Sequence, residues 1–245
     1  MKYQILLTVL FLLPASCVAA ADGSGQLPTA EEIVTQMDAH NLQRQGSGGG
    51  YTGMRRYVLE NHHKRAEMLV QVQADQDGTK HFDVVSEEGW KAANKHVLRK
   101  MVESEAETSR PEARSNTGLN LENYDFEVIG TELIADRLTY VLQVSPKRTD
   151  KYLFLGRIWV DVSDYALVRA EGNPAKNPSF WIKSTHFTQT YTKSGPLWFP
   201  LTTQSVTEAR IFGTTDVSIQ YFDYAPKTPQ PTEKLVASAR RLPTP

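Results

Sequence analysis

The stretch Ala66–Ser86, which reads AEMLVQVQADQDGTKHFDVVS, decides the fold class. Apolar residues recur at every second position from Ala66 to Ala74, as they do in a strand with one dry face. Asp77-Gly78 is typical of a hairpin turn, because both residues tolerate positive φ. On the return run, Phe82 and Val84 again share one side. The stretch therefore predicts two antiparallel strands with a common apolar face.

The same pattern extends over most of the chain from Tyr51 to Tyr224. Strands at this spacing form hairpins, because the connections are too short for crossover helices. No internal repeat is present. The other candidate strands are Tyr51–Glu60, Asp125–Thr131, Arg137–Ser145, Tyr152–Asp161, Ala166–Glu171, Trp181–Thr192, Leu197–Glu208 and Ile211–Tyr224.

Two amphipathic helices accompany the strands. The first begins near Pro28, where Thr29 and Glu32 have the spacing of a capping box, and ends near Arg44. The second is predicted to begin at Glu87-Glu88, and Thr108–Gly118 after it is predicted to be a loop. The apolar side of the second helix carries Trp90, Ala93, Val97, Leu98, Met101 and Val102.

These elements predict an α+β fold that is mainly antiparallel β. A sheet of about ten or eleven strands curls because its strands twist, and it then resembles a half-barrel. Two helices form a lid on the concave face but cover it incompletely, so an apolar cavity between sheet and helices is expected. The candidate cavity residues are Met68, Val70, Val72, Phe82, Val84, Trp90, Val97, Met101, Ile158, Val160, Val168, Val217, Ile219 and Tyr221.

The amino terminus has the features of an export signal. Lys2 precedes an apolar run from Ile5 to Leu13, and Val18-Ala19-Ala20 fits the requirement for small residues at a cleavage site. Cleavage before Ala21 removes Cys17, the single cysteine of the chain, and we prefer this to a lipid anchor on Cys17. The predicted layout is a signal peptide over 1–20, a linker over 21–27, a binding domain over 28–225 and a Pro-rich extended tail over 226–245.

Composition excludes several classes of function. The 245 residues hold 27 Lys+Arg and 28 Asp+Glu, so the basic surface needed for nucleic-acid binding is not expected. One cysteine excludes a disulfide framework and a zinc site built from several thiolates. No catalytic motif stands out, and we expect no catalytic residues, no metal and no cofactor.

One hairpin carries a family resemblance. Gly156–Asp161 (GRIWVD) is followed after a short turn by Tyr165–Glu171 (YALVRAE). Together with the export signal and the order of the helices, this hairpin resembles the periplasmic lipoprotein-carrier superfamily, which includes LolA, LolB and the lipid-sensing domain of RseB. The resemblance implies an eleven-strand half-barrel with a helical lid that holds acyl chains of lipoproteins or related lipids without catalysing a reaction.

The leading prediction is therefore an exported, periplasmic, monomeric carrier for lipoprotein or lipid acyl chains, of the kind that sorts outer-membrane lipoproteins. Burial of each methylene is worth about 0.8 kcal/mol, so acyl cargo needs a concave apolar site to cross water. One alternative is a sensor or regulatory domain like that of RseB, which binds a membrane-associated envelope protein. Another alternative is a periplasmic hydrolase of unknown substrate, which needs a polar cluster at the cavity floor.

Overall fold

A computed structural model describes residues 27–47, 50–177, 182–195, 197–210 and 213–227 of the protein. The predicted signal peptide, Cys17, and nearly all of the predicted linker and tail lie outside the described residues, and so does Trp181. Within the described ranges, the elements run from Ala30 to Pro226.

Ten strands are found in the described part of the chain, as the alternation predicts. They are β1 (Tyr51–Glu60), β2 (Arg65–Ala74), β3 (Lys80–Gly89), β4 (Tyr124–Ile134), β5 (Arg137–Pro146), β6 (Phe154–Asp161), β7 (Leu167–Pro174), β8 (Ile182–Ser194), β9 (Leu197–Ala209) and β10 (Gly213–Pro226).

The helical elements are α1, a long interrupted helix after β3, and a short helix after that. Their bounds are Ala30–Ser47 for α1, Lys91–Ala93 for α2, Asn94–Leu98 for a π-helical segment, Arg99–Thr108 for α3 and Pro111–Thr117 for α4. The predicted capping box of α1 is confirmed, because the Thr29 amide donates to Glu32 Oε2 at 2.8 Å and the Glu32 amide donates to Thr29 Oγ1 at 3.2 Å. None of these helices combines the length and the apolarity that crossing a membrane requires.

All ten strands belong to one antiparallel, curled sheet in the order β3-β2-β1-β10-β9-β8-β7-β6-β5-β4. The strands from β4 to β10 follow one another as a meander, and β1 then pairs with β10. The two edge strands, β3 and β4, are connected by the chain that forms α2, α3 and α4. The helical connection must therefore pass from one edge of the sheet to the other. The predicted α+β half-barrel is confirmed.

Each half of the inner face, the face that the helices cover, has its own apolar cluster. The first cluster joins α1 to strands β4–β7 and contains Ile33, Val34, Met37, Tyr124, Tyr140, Leu142, Val144, Leu153, Ile158, Val160 and Ala170. The second joins the interrupted helix to β1, β2 and β10 and contains Tyr57, Leu59, Ala66, Met68, Val70, Ala93, Leu98, Val102, Val217, Ile219 and Tyr221. The sheet therefore has two separately covered halves.

Two predicted boundaries in the helical connection are wrong. Glu87 and Glu88 belong to β3, where they pair with Met68 and Glu67 of β2, so they do not begin a helix. The predicted loop Thr108–Gly118 contains α4. Pro111 occupies the first turn of α4, where a missing amide hydrogen costs nothing, and the proline therefore starts this helix instead of preventing it.

The outer face, opposite the helices, carries a small third cluster of Val141, Trp159 and Val168. Trp159 points away from Ile158 and Val160 of the first cluster, as alternation along β6 requires. The pairing of β6 with β7 shifts between Trp159 and Val160, and this bulge places Val168 with the outer residues. Val168, a predicted cavity residue, therefore lies on the outer face, whereas Ala170 belongs to the first cluster.

Candidate functional site

A cavity of about 420 Å³ lies where the ends of β1, β2, β3 and β9 meet α1, α3 and α4. Its size falls within the range of about 300–1,000 Å³ that is typical of small-molecule sites. It is lined by Asn41, Gly50, Tyr51, Ala74, Asp75, Gln76, Gly78, Lys80, Glu105, Thr108, Ser109, Arg114, Leu197, Trp198, Phe199 and Pro200.

One wall of the cavity is aromatic. Phe199 is 8% exposed and stacks on Tyr224, with ring centroids 4.1 Å apart. Tyr51 meets the edges of both rings, at 5.4 Å from Phe199 and 5.5 Å from Tyr224. Tyr224 also packs against the second cluster, so the aromatic wall continues into the apolar interior below the interrupted helix.

The lining also holds charged side chains: Lys80 and Glu105 line the cavity and form a charged cluster with the buried Arg55. The carboxylate of Glu105 on α3 forms an ion pair with the Arg55 guanidinium on β1, and it accepts a hydrogen bond of 2.7 Å from Lys80 Nζ on β3. The Glu105 side chain keeps 30% of its exposure, toward the cavity. One carboxylate thus connects α3 to two strands.

Arg55 is 1% exposed although it carries a full charge. Its guanidinium lies 5.0 Å from the ring centroid of Phe82 and 4.9 Å from that of Tyr221, so two aromatic faces partly replace water around it. Its Nη1 also donates to the Tyr57 hydroxyl at 3.4 Å. Within the described residues, Arg55 Nε and Nη2 find no hydrogen-bond acceptor.

Burial and charge together shift the pKa values at this site. Burial alone would raise the pKa of Glu105, but the positive charges of Lys80 and Arg55 outweigh burial and lower the pKa to about 2. Burial raises the pKa of Tyr57 to about 12, against the opposing effect of Arg55. Burial also raises the pKa of Tyr221 and of Tyr224. The site therefore holds an ionised carboxylate among neutral phenols.

The rim of the cavity is tied together by a second set of polar contacts. Asp75 accepts a hydrogen bond of 2.9 Å from Lys227 Nζ, and its other oxygen lies 2.8 Å from the His81 ring nitrogen. Both contacts lower the pKa of Asp75, and the hydrogen bond from Lys227 has the larger effect. The Lys227 amide donates to the Gly50 carbonyl, and the Arg114 guanidinium donates to the Asp77 carbonyl. The rim charges are therefore already partnered.

The structure places the predicted cavity residues in five environments. The second cluster holds Met68, Val70, Val217, Ile219 and Tyr221, with Phe82, Trp90 and Met101 packed against it. Ile158 and Val160 belong to the first cluster, Val168 lies on the outer face, and Val72 is fully buried on β2. Val84 is 36% exposed because β3 is an edge strand.

Val97 is 39% exposed and turned away from the sheet, which differs from its expected place in the lid. The π-helical segment adds one residue to the turn, so Ala93 and Leu98, five positions apart, both face inward. None of the predicted set is among the described residues that line the 420 Å³ cavity. Their contact with a ligand stays a prediction.

The sequence analysis missed the charged cluster. The available signal was the alternation in β1, because Gly53, Arg55, Tyr57 and Leu59 occupy every second position and all four are buried. A cation in a row of inward-facing residues indicates a buried partner. The partner Glu105 lies 50 residues further on and could not be named from the sequence.

Three solved structures illustrate what the fold resembles. A LolA superfamily protein from Nitrosomonas europaea matches 82% of this chain and 95% of its own, with 12% identity and a TM-score of 0.44. A putative outer membrane lipoprotein-sorting protein domain from Vibrio parahaemolyticus matches 82% and 93%, with 15% identity and a TM-score of 0.41. A chain of the MucA/MucB complex of Pseudomonas aeruginosa matches 80% of this chain and 99% of its own, with 8% identity and a TM-score of 0.29.

The first of these structures is named for the superfamily that the hairpin Gly156–Glu171 resembles. No protein-family model and no curated protein sequence matches the chain. At these identities and TM-scores the likeness carries no argument about function, which has to be argued from the residues of this chain.

Proposed function

We propose that this protein is an exported, non-enzymatic binding protein that holds an acyl chain between its sheet and its helices. The observation that carries the proposal is the cavity of about 420 Å³ whose aromatic wall, Tyr51 and Phe199, leads to the second cluster. Burial of a chain of about 16 carbons is worth on the order of 12 kcal/mol, enough to retain such a ligand in water.

The arrangement of the helices supports loading and release. The interrupted helix covers the second cluster through a small set of side chains, with Ala93, Leu98 and Val102 as its buried apolar contacts. A limited displacement of this helix costs a few kcal/mol and extends the cavity over Tyr221 and Tyr224, where an acyl chain replaces the lost contacts. The predicted signal peptide would place such a carrier in the periplasm.

The first experiment asks whether the protein carries or takes up lipid. The chain lacking residues 1–20 is purified, and any bound material is extracted for lipid mass spectrometry. In parallel, a fluorescent fatty acid is titrated into the delipidated protein. We expect saturable binding in the micromolar range or tighter. The proposal is contradicted if the purified protein is lipid-free and the fluorescence of the fatty acid does not change when it is titrated.

The Phe199→Leu variant localises the binding. It shortens the aromatic wall while keeping the position apolar, so we expect the fatty acid to bind about five- to tenfold more weakly. Leu201→Ala is the matched control, because Leu201 lies two residues further on the same strand and is 45% exposed. Equal loss in both variants, or none in Phe199→Leu, contradicts the cavity as the site. Circular dichroism confirms that both variants fold.

A further inference from the structure

The two ends of the cavity differ in chemistry. One end presents the aromatic rings of Tyr51 and Phe199. The other end presents Lys80, Glu105, Thr108 and Ser109, which are polar or charged. A ligand that fills the whole cavity must therefore be an amphiphile, with an apolar part against the rings and a polar group at the charged cluster.

The charges at the polar end favour a negative group. Arg55 and Lys80 share the single carboxylate of Glu105, so this cluster holds one more positive than negative charge. The other acid in the lining, Asp75, is already bonded to Lys227 at 2.9 Å and to His81 at 2.8 Å. Arg114 also lines the cavity, but its guanidinium is already bonded to the Asp77 carbonyl.

Arg55 adds an unmet demand for an acceptor. Two of its nitrogen atoms, Nε and Nη2, are buried and have no hydrogen-bond acceptor within the described residues. Leaving a buried charged donor without an acceptor costs free energy that an added oxyanion would recover. Arg55 is not among the described residues that line the cavity, but its Nη1 reaches Glu105, which does line it. An anion that takes the place of Glu105 would therefore meet this guanidinium.

We propose that the cavity is specific for an anionic amphiphile, an acyl chain that ends in a carboxylate or phosphate group, with the anion bound by Lys80 and Arg55. In the empty site, Glu105 occupies the position beside these two cations. The anion of a bound ligand takes that position. This inference rests on the proposed function. It adds the sign of the charge on the headgroup and the residues that select that charge.

The test compares a fatty acid with its neutral ester. The intrinsically fluorescent cis-parinaric acid and its methyl ester have the same chain, so only the charge differs. At pH 7.5 we expect the wild-type protein to bind the acid at least about tenfold more tightly than the ester, as is usual for a charge-assisted contact. Lys80→Gln should remove most of this preference. Lys100→Gln should preserve it, because Lys100 lies on α3, the helix that carries Glu105, but is 66% exposed and pairs with Glu103.

Glu105→Gln separates a ligand site from a purely structural ion pair. If Glu105 competes with the ligand for Arg55 and Lys80, its neutralisation should tighten binding of the acid severalfold and leave the ester unchanged. A structural ion pair predicts equal weakening of both ligands. Thermal melts show that each variant is folded at the temperature of the titration.

The outcomes separate the two proposals. Equal affinity for acid and ester in the wild-type protein overturns the anion site and leaves the carrier in place, whereas binding of neither overturns both. A lysophosphatidic acid of equal chain length supplies the phosphate arm. If lysophosphatidic acid binds more tightly than the fatty acid, the site is assigned to phospholipid headgroups. If the fatty acid binds more tightly, the site is assigned to free fatty acids. Either result supports the anion site.

Discussion

Arg55 is the residue at which the charged and apolar parts of the molecule meet. It shares an inward-facing row with Tyr57 and Leu59, both of which belong to the second cluster, yet it carries a charge that the aromatic faces of Phe82 and Tyr221 shield. A buried cation without its partner is strongly destabilising. Glu105 is thus a condition for keeping Arg55 inside the sheet.

The stability of the protein in acid depends on Glu105. Its pKa is about 2 in the folded chain against an ordinary 4.5, so the folded state binds fewer protons than the unfolded state between these values. The stability that this residue contributes is therefore complete above about pH 4.5 and is lost as the pH falls toward 2. We expect the free energy of unfolding to decline more steeply from pH 5 to pH 3 in the wild-type protein than in Glu105→Gln.

Urea unfolding at several pH values measures this difference. Glu103→Gln is the matched control, since Glu103 lies two residues earlier on the same helix and is 61% exposed. Its decline with pH should follow that of the wild-type protein. Parallel declines in wild type and Glu105→Gln would show that the ion pair does not contribute to stability.

Local patterns of single residues could be predicted from the sequence, whereas contacts between distant residues could not. The alternation around Met68 and the capping box of Thr29 and Glu32 are local patterns, and the structure confirms the elements they predict. The pairing of Arg55 with Glu105 spans 50 residues and depends on where α3 crosses the sheet. A single bulge moves Val168 to the outer face, and the alternation of apolar residues in the sequence does not reveal this bulge.

At the element scale, the π-helical segment Asn94–Leu98 decides which side chains face the sheet. With ordinary helical spacing Val97 and Leu98 would share the covering face, as the sequence predicts. The wider turn instead buries Leu98 fully and leaves Val97 39% exposed. The Asn94 side chain, itself buried, donates to the Glu88 carbonyl at 2.9 Å and fastens the segment to the end of β3.

Alanine substitutions test this change of helical phase. Leu98→Ala removes a fully buried side chain from the second cluster, so we expect it to cost about 3 kcal/mol of the free energy of unfolding. Val97→Ala changes the adjacent, half-exposed position and should cost less than about 1 kcal/mol. Urea unfolding measures both. Similar costs for the two variants would mean that the segment is an ordinary α-helix in solution.

At the scale of the whole molecule, one sheet supports two separate apolar halves. α1 covers the half made by β4–β7, and the interrupted helix covers the half made by β1, β2 and β10. The cavity adjoins the second half, because Tyr224 connects its aromatic wall to that cluster. A ligand in the cavity should therefore affect the two halves unequally.

Hydrogen exchange followed by mass spectrometry measures this inequality. When a saturating fatty acid is added, we expect slower exchange in α3 and in the strand ends at Tyr51 and Phe199, because these elements line the occupied cavity. At a hundredfold excess over Kd, binding adds about 2.7 kcal/mol to the free energy of unfolding, which sets the scale of the effect. Amides of β5 and β6, in the half below α1, should slow only where global unfolding governs their exchange. The methyl ester at equal occupancy is the control for burial alone. Protection centred on β4–β7 would place the ligand in the other half of the sheet, away from the charged cluster and the aromatic wall.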